Sequence, residues 1–231
     1  MDSHLAVLAA GDESRGHRTL AEKAFATLHA AIVTGRLPPG ARLPIEELAE
    51  HLQMSPMPIR EAVRRLDAVG LVENIPHRGA RVTELSVTDL AEVYDVRLAL
   101  ETLAVRRAAA RFSRLQAAHA RQRLDELGAV PIEDLAGTSA AHTRFHFALY
   151  ESAESRWLLR LIRPVWETSE RYWLQMPEAR RLTESAVEHE AILAACEAGE
   201  PAQAAAALHR HLATTANHLA TAMGARPLYA V

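Results

Sequence analysis

Apolar residues recur along most of this chain at the three- and four-residue spacing of helices. Leu20, Ala24, Leu28 and Ile32 form one stripe, which stops at Gly35, a residue able to take the left-handed conformation that ends a helix. Leu37-Pro38-Pro39-Gly40 cannot extend it. A second, shorter stripe runs through Ile45, Leu48, Ala49 and Leu52. Ser55 stands where it can cap a third helix, with Pro58 tolerated in the first turn. Ile59, Ala62, Val63 and Leu66 give that helix its apolar face, and Arg60, Arg64 and Arg65 occupy the other side. Beyond Gly70 the period changes: residues 71–74 and 80–83 predict two short strands joined by Ile75-Pro76-His77-Arg78-Gly79, a small hairpin.

After Thr83 the strands and tight turns vanish. The cap signal Ser86-Val87-Thr88-Asp89 opens a long helical stretch, with helices expected over residues 87–111, 113–127, 139–152, 155–175, 179–198 and 201–222. Gly128, Pro131, Pro177, Gly199 and Pro201 interrupt it. The pattern predicts a mobile tail over residues 1–17, a first domain over 18–84 and an all-helical domain over 85–225, with fraying expected after Met223.

Composition agrees with a mainly α fold, because 45 Ala and 30 Leu stand against 10 Gly and 5% aromatics. The net charge of −3 points to no partner by itself. Residues 18–83 carry a balance of +2 and residues 84–231 one of −3, a weak asymmetry. The single cysteine, Cys196, excludes an intrachain disulfide framework, and neither an 18-residue apolar run nor a signal segment is visible. A cytoplasmic protein without membrane contact is the expectation.

Three short helices, the last with arginines outward, followed by a hairpin bearing Arg78 and Arg81, describe a winged helix-turn-helix. A helix of that kind fits the major groove of duplex DNA, where arginine bonds bidentately to guanine or to phosphate. The alternative is a solvated helix face with Arg60 or Arg64 paired to Glu61 or Asp67. The residues Gly35-Arg36-Leu37-Pro38-Pro39-Gly40-Ala41-Arg42-Leu43, Glu47-Leu48-Ala49, Ser55-Pro56-Met57-Pro58-Ile59-Arg60-Glu61-Ala62, Gly70-Leu71-Val72 and Arg78-Gly79-Ala80 resemble the GntR family of bacterial transcription regulators. That resemblance implies contacts to operator DNA by Ser55, Met57, Arg60 and Arg64, with His77, Arg78 and Gly79 in the wing. Two positions depart from the family pattern. Pro56 stands where many members have arginine, and Gln53 replaces a usual turn glycine.

In the helical part, the 12 histidines matter more than the charge. His142 and His146 are four residues apart, one turn along one face, which is a metal-ligand spacing on a helix. His189 shares a face with Ala186, Leu193 and Cys196, and His211 with Leu208, Thr215 and His218. Three helices thus aim imidazoles at one core. Either a divalent metal or a set of hydrogen bonds satisfies them, and the residues alone leave both open. Glu188 and Glu190 are expected to point away from the face of His189. Trp157, Trp166, Tyr172 and Trp173 read as core, and His209 as outward.

Residues 89–101 (Asp89 through Glu101), Phe145-His146-Phe147-Ala148-Leu149, Glu188-His189-Glu190-Ala191-Ile192 and His211-Leu212 resemble the FCD effector domain of the FadR-type GntR branch. In metal-binding members of that branch one Asp and three His hold a divalent ion beside a carboxylate effector. The resemblance places the three His at His146, His189 and His211, and the Asp at His142, where this chain has no carboxylate. Exchanging a hard oxygen for an imidazole nitrogen favours Zn or Ni over Mn or Mg. Ser155 replaces a common Asn. Arg97 is suited to clamp a carboxylate, with Tyr94 and His218 as further effector candidates; an Arg97–Glu101 surface pair is the alternative. The expectation is a homodimeric, metabolite-responsive regulator. An enzyme is not expected, since no HExxH motif or placed general base accompanies the histidines.

Overall fold

The structure, a computed structural model, describes residues 19–75, 79–131, 133–175 and 185–231. It divides into two compact units, Met1–Ser86 and Val87–Val231. The expected tail over residues 1–17 lies outside the described residues.

In the first unit, α1 (Leu20–Val33) is opened by a capping box that the sequence reading did not use: Thr19 accepts from the Glu22 amide and Glu22 returns a bond to the Thr19 amide. The helices α2 (Ile45–His51) and α3 (Pro56–Ala68) follow, then the antiparallel strands β1 (Val72–Ile75) and β2 (Gly79–Val82), with Val72 opposite Val82. Leu28, Ile32, Leu48, Ile59, Leu66 and Val82 pack into one apolar core. The segment before α2 lies along the hairpin, where Leu43 donates to the Ala80 carbonyl and Val82 to that of Ala41, so the wing is anchored at its base. Between α2 and α3, Gln53 sits at φ 52°, the left-handed region that disfavours a side chain. In α3, Pro56 and Pro58 occupy two of the first three positions, so Met57 supplies the amide of that turn.

The second unit is all helical among the described residues: α4 (Val87–Ala109), α5 (Arg114–Gly128), α6 (Leu135–Glu151), α7 (Arg156–Gln175), α8 (Ser185–Glu197) and α9 (Pro201–Ala222). The helix α4 packs on α9, α7 and α6, and α8 lies against α9 and α5. The helix expected from residue 139 begins at Leu135 instead, because the Asp134 side chain accepts from the Gly137 amide at 2.8 Å and caps it. The expected start of α8 at residue 179 lies outside the described residues. Fraying after Met223 does not occur. The Asn217 side chain accepts from the amides of Leu228 and Tyr229, and the Tyr229 hydroxyl meets Asp95 at 2.9 Å. Among the described residues, no helix is long and apolar enough to cross a membrane.

Candidate functional site

Three helices of the second unit bring four imidazoles together. His142 and His146 project from one face of α6, His189 comes from α8 and His211 from α9, and their ligand nitrogens all lie within 4.8 Å of one another. His146, His189 and His211 are buried, and His142 is half-buried. Burial, reinforced by neighbouring imidazoles, holds protonation of His142, His146 and His189 well below the usual histidine range. These rings are therefore neutral and present lone pairs.

Hydrogen bonds select which nitrogen does so. Tyr150 donates its hydroxyl hydrogen to Glu101 at 2.6 Å, so it must accept from Nδ1 of His146, 3.0 Å away. Nδ1 of His211 donates to the Glu188 carboxylate at 2.8 Å. In both residues Nε2 is left to face the cluster. Nε2 of His146 and Nε2 of His189 are 3.2 Å apart. Two nitrogens bound tetrahedrally at about 2.0–2.1 Å from one zinc ion would be about 3.3 Å apart. Donor type, outer partners and the spacing of the His146–His189 pair thus fit a divalent metal of borderline softness.

Beside the cluster opens a cavity of about 1260 Å³, lined in part by His142, His189, His211, Tyr94, Arg97 and Trp166. His142 stacks on Trp166, 5.4 Å between ring centres. The Arg97–Glu101 pair exists, but buried in the bundle and not on its surface: Nε and Nη2 hold the two carboxylate oxygens at 2.6 and 3.3 Å, and Nη1 donates to Ser169 at 2.9 Å. Three of the five guanidinium N–H groups are thereby used, and the Tyr94 hydroxyl takes a further one, leaving one for a ligand. The guanidinium also lies 4.7 Å from the Trp166 ring centre.

Several expected placements change. His218 is exposed on α9 and does not line the cavity, which reaches only Thr215 on that helix. Glu188 does not point away; it reaches across to His211 on α9. Trp157 is 60% exposed, and Trp173 lines the cavity. Tyr150 and Glu101 were not legible as parts of a site, because they meet from helices 49 residues apart in sequence. Ser155 receives the Leu158 amide at the start of α7, a capping role.

In the first unit, Ser55 sits at the N-cap of α3 with no side-chain cap bond, and Met57 is 74% exposed. Arg60 pairs with Glu46 of α2 at 2.9 Å and Arg64 with Glu61 at 2.5 Å, all of them solvent-accessible. Arg65 lies over the Phe25 ring, 4.3 Å from its centre, and braces α3 on α1. Gly79 opens β2 at φ 81°. His77 and Arg78 lie outside the described residues.

Comparison with known proteins fits both units. Residues 20–82 match the model described as bacterial regulatory proteins, gntR family, and residues 92–214 match the FCD domain. The chain is 35% identical over 186 residues to the "Probable D-xylose utilization operon transcriptional repressor" of Paenarthrobacter nicotinovorans, covering 79% of this chain and 80% of that protein. It is 27% identical to the HTH-type transcriptional repressor GlaR of Escherichia coli over 194 residues, 79% of this chain and 88% of that one. Among solved structures, Escherichia coli McbR/YncC superposes with a TM-score of 0.76 at 26% identity, covering 89% of this chain and 99% of that one. These relatives are regulators and not enzymes. The chain belongs to the GntR family of bacterial regulatory proteins and is a DNA-binding transcription regulator whose ligand-binding part is an FCD domain.

Proposed function

We propose that the chain acts in the cytoplasm as a homodimer on a palindromic operator, and that its FCD unit holds a divalent metal, Zn or Ni before Mn or Mg, with a carboxylate effector beside it. The observation that carries this reading is the four-imidazole cluster, in which His146 and His211 turn Nε2 inward. His146, His189 and His211 would hold the ion, with His142 as the fourth donor. The ion supplies positive charge that attracts an anionic head group, and no turnover is involved. Ser55, Met57, Arg60 and Arg64 would meet the operator, with His77, Arg78 and Gly79 on the wing. Relatives named as repressors support repression as the mode of control.

Control follows from linkage. Two recognition helices must meet half-sites at a fixed separation, so an effector changes operator affinity only by binding one arrangement of the dimer better than another.

Elemental analysis of the untagged protein beside His189→Ala and His142→Ala tests the metal. Near-stoichiometric metal, lost in His189→Ala, is the expected result. Absence of metal from every sample, with carboxylates still stabilising the protein, would leave the regulator and make the histidines a direct polar pocket.

A further inference from the structure

The cavity beside the histidines changes character from floor to mouth. At its floor lie the buried His189 and His211 and the guanidinium of Arg97, with one N–H group left to give. Its walls are mostly apolar: Leu124 and Leu127 of α5, Leu135 at the start of α6, and Trp166 and Trp173, two turns apart on α7, with the carboxylate of Glu170 between them. All but Trp166 of these wall residues are half-buried. At the mouth the lining becomes acidic and exposed, with Asp125, Glu133 and Glu190. Glu190 is engaged by Arg121 at 2.5 Å, so among the described lining residues Asp125 and Glu133 make the mouth acidic.

The volume of about 1260 Å³ exceeds the usual range for drug-sized ligands, about 300–1,000 Å³. An acid of two or three carbons would satisfy the floor and leave the indole and leucine walls facing water. A ligand with an apolar body covers them. A second carboxylate at the far end of that body would meet Asp125 and Glu133, where like charges repel.

We infer that the effector is an amphipathic monocarboxylate: one carboxylate at the histidine and Arg97 floor, an apolar body along Trp166, Trp173 and the leucines, and no second anionic end. This rests on the cavity being the effector site and sharpens that reading to a ligand class. It does not need the metal, since Arg97 alone offers a head-group contact.

The full-length protein, metal-free and zinc-loaded, is titrated by calorimetry and tryptophan emission. The probes are acetate, butanoate, hexanoate, octanoate and decanoate, the aryl acids benzoate and phenylacetate, and the dianions succinate, citrate and decanedioate. Affinity is expected to rise about threefold to fourfold per methylene along the alkyl series, with one site per chain. Decanoate is expected to bind at least about tenfold more tightly than decanedioate. Trp173→Ala should flatten the chain-length dependence while leaving acetate unchanged. Phenylacetate binding above octanoate identifies a ring as the body, and the reverse identifies a chain. Citrate or acetate binding as tightly as octanoate, or decanedioate matching decanoate, overturns the inference in the wild-type protein whatever the variant does. Metal content measured on the same samples keeps the two readings apart. Chain-length dependence without metal overturns the metal alone, and metal without that dependence overturns the ligand class alone.

Discussion

The carboxylate of Glu188 lies 2.8 Å from Nδ1 of His211, joining α8 to α9 at the edge of the imidazole cluster. A carboxylate accepting from the far nitrogen of a ligating histidine fixes its ring and raises its basicity. Glu188→Ala is therefore expected to lower metal affinity about 10- to 100-fold, and Glu188→Gln, which still accepts a hydrogen bond, by less. Competition against a chelator of known zinc affinity reads this directly. Unchanged affinity in Glu188→Ala would remove Glu188 from the site.

In metal-free protein the four packed imidazoles carry a cost at low pH. In the folded protein His142, His146 and His189 resist protonation because they are buried, whereas an unfolded histidine titrates near 6.5. The unfolded chain thus binds more protons as the pH drops. Stability is complete above about pH 6.5 and declines as the pH falls below it. The melting temperature of metal-free protein should fall between about pH 7.5 and about pH 5.5, and the fall should be smaller in His189→Ala. A flat or rising profile would contradict the arrangement.

Arg60 shares its charge with Glu46 on the surface of the first unit. If Arg60 meets the operator as proposed, a phosphate or base edge would replace that carboxylate on DNA. Arg60→Ala should weaken operator binding and reduce the slope of log affinity against log salt by about 1, with little effect on the melting temperature. Glu46→Gln, which frees the guanidinium, should act in the opposite direction on affinity. A slope that stays unchanged in Arg60→Ala would place the arginine outside the DNA contact.

Gln53 holds a left-handed backbone at φ 52° in the turn between α2 and α3, with the Met54 amide bonded back to the Ala49 carbonyl. Gln53→Gly relieves the Cβ clash while loosening the unfolded chain. A net gain of about 0.5–1 kcal/mol is expected, measurable as a shift in the denaturant midpoint. A loss of stability would show that the glutamine side chain makes a compensating contact.

Period and punctuation carried most of the architecture. Ala24, Leu28 and Ile32 of the first stripe became the buried side of α1, while Leu20 at its start is exposed, and Gly70 separated α3 from the hairpin. The first turn of α6 escaped because Leu135-Ala136-Gly137-Thr138 has little apolar signal, and a single Asp134 cap decides it. The histidine cluster was legible through the four-residue spacing of His142 and His146. Its outer partners were not, because Tyr150 and Glu101 meet through tertiary packing that no local spacing encodes. His211 and His218 fall on nearly the same helical face, yet one is buried and the other exposed. Periodicity fixes a direction around the axis and says nothing about how far along the axis a neighbouring helix provides cover.

The start of a helix ordinarily doubles as an anion cradle, built from amide hydrogens that have no partner within the helix. In α3, Pro56 and Pro58 remove two of those rungs and leave those of Ser55 and Met57. If α3 meets the operator as proposed, its grip on a duplex would rely more on rotatable side chains than on rigid backbone. A rigid backbone tolerates one placement of a phosphate, whereas rotatable arms accommodate a range of groove widths. On that reading, sharpness at that end of the half-site would come chiefly from the shape of the side chains themselves.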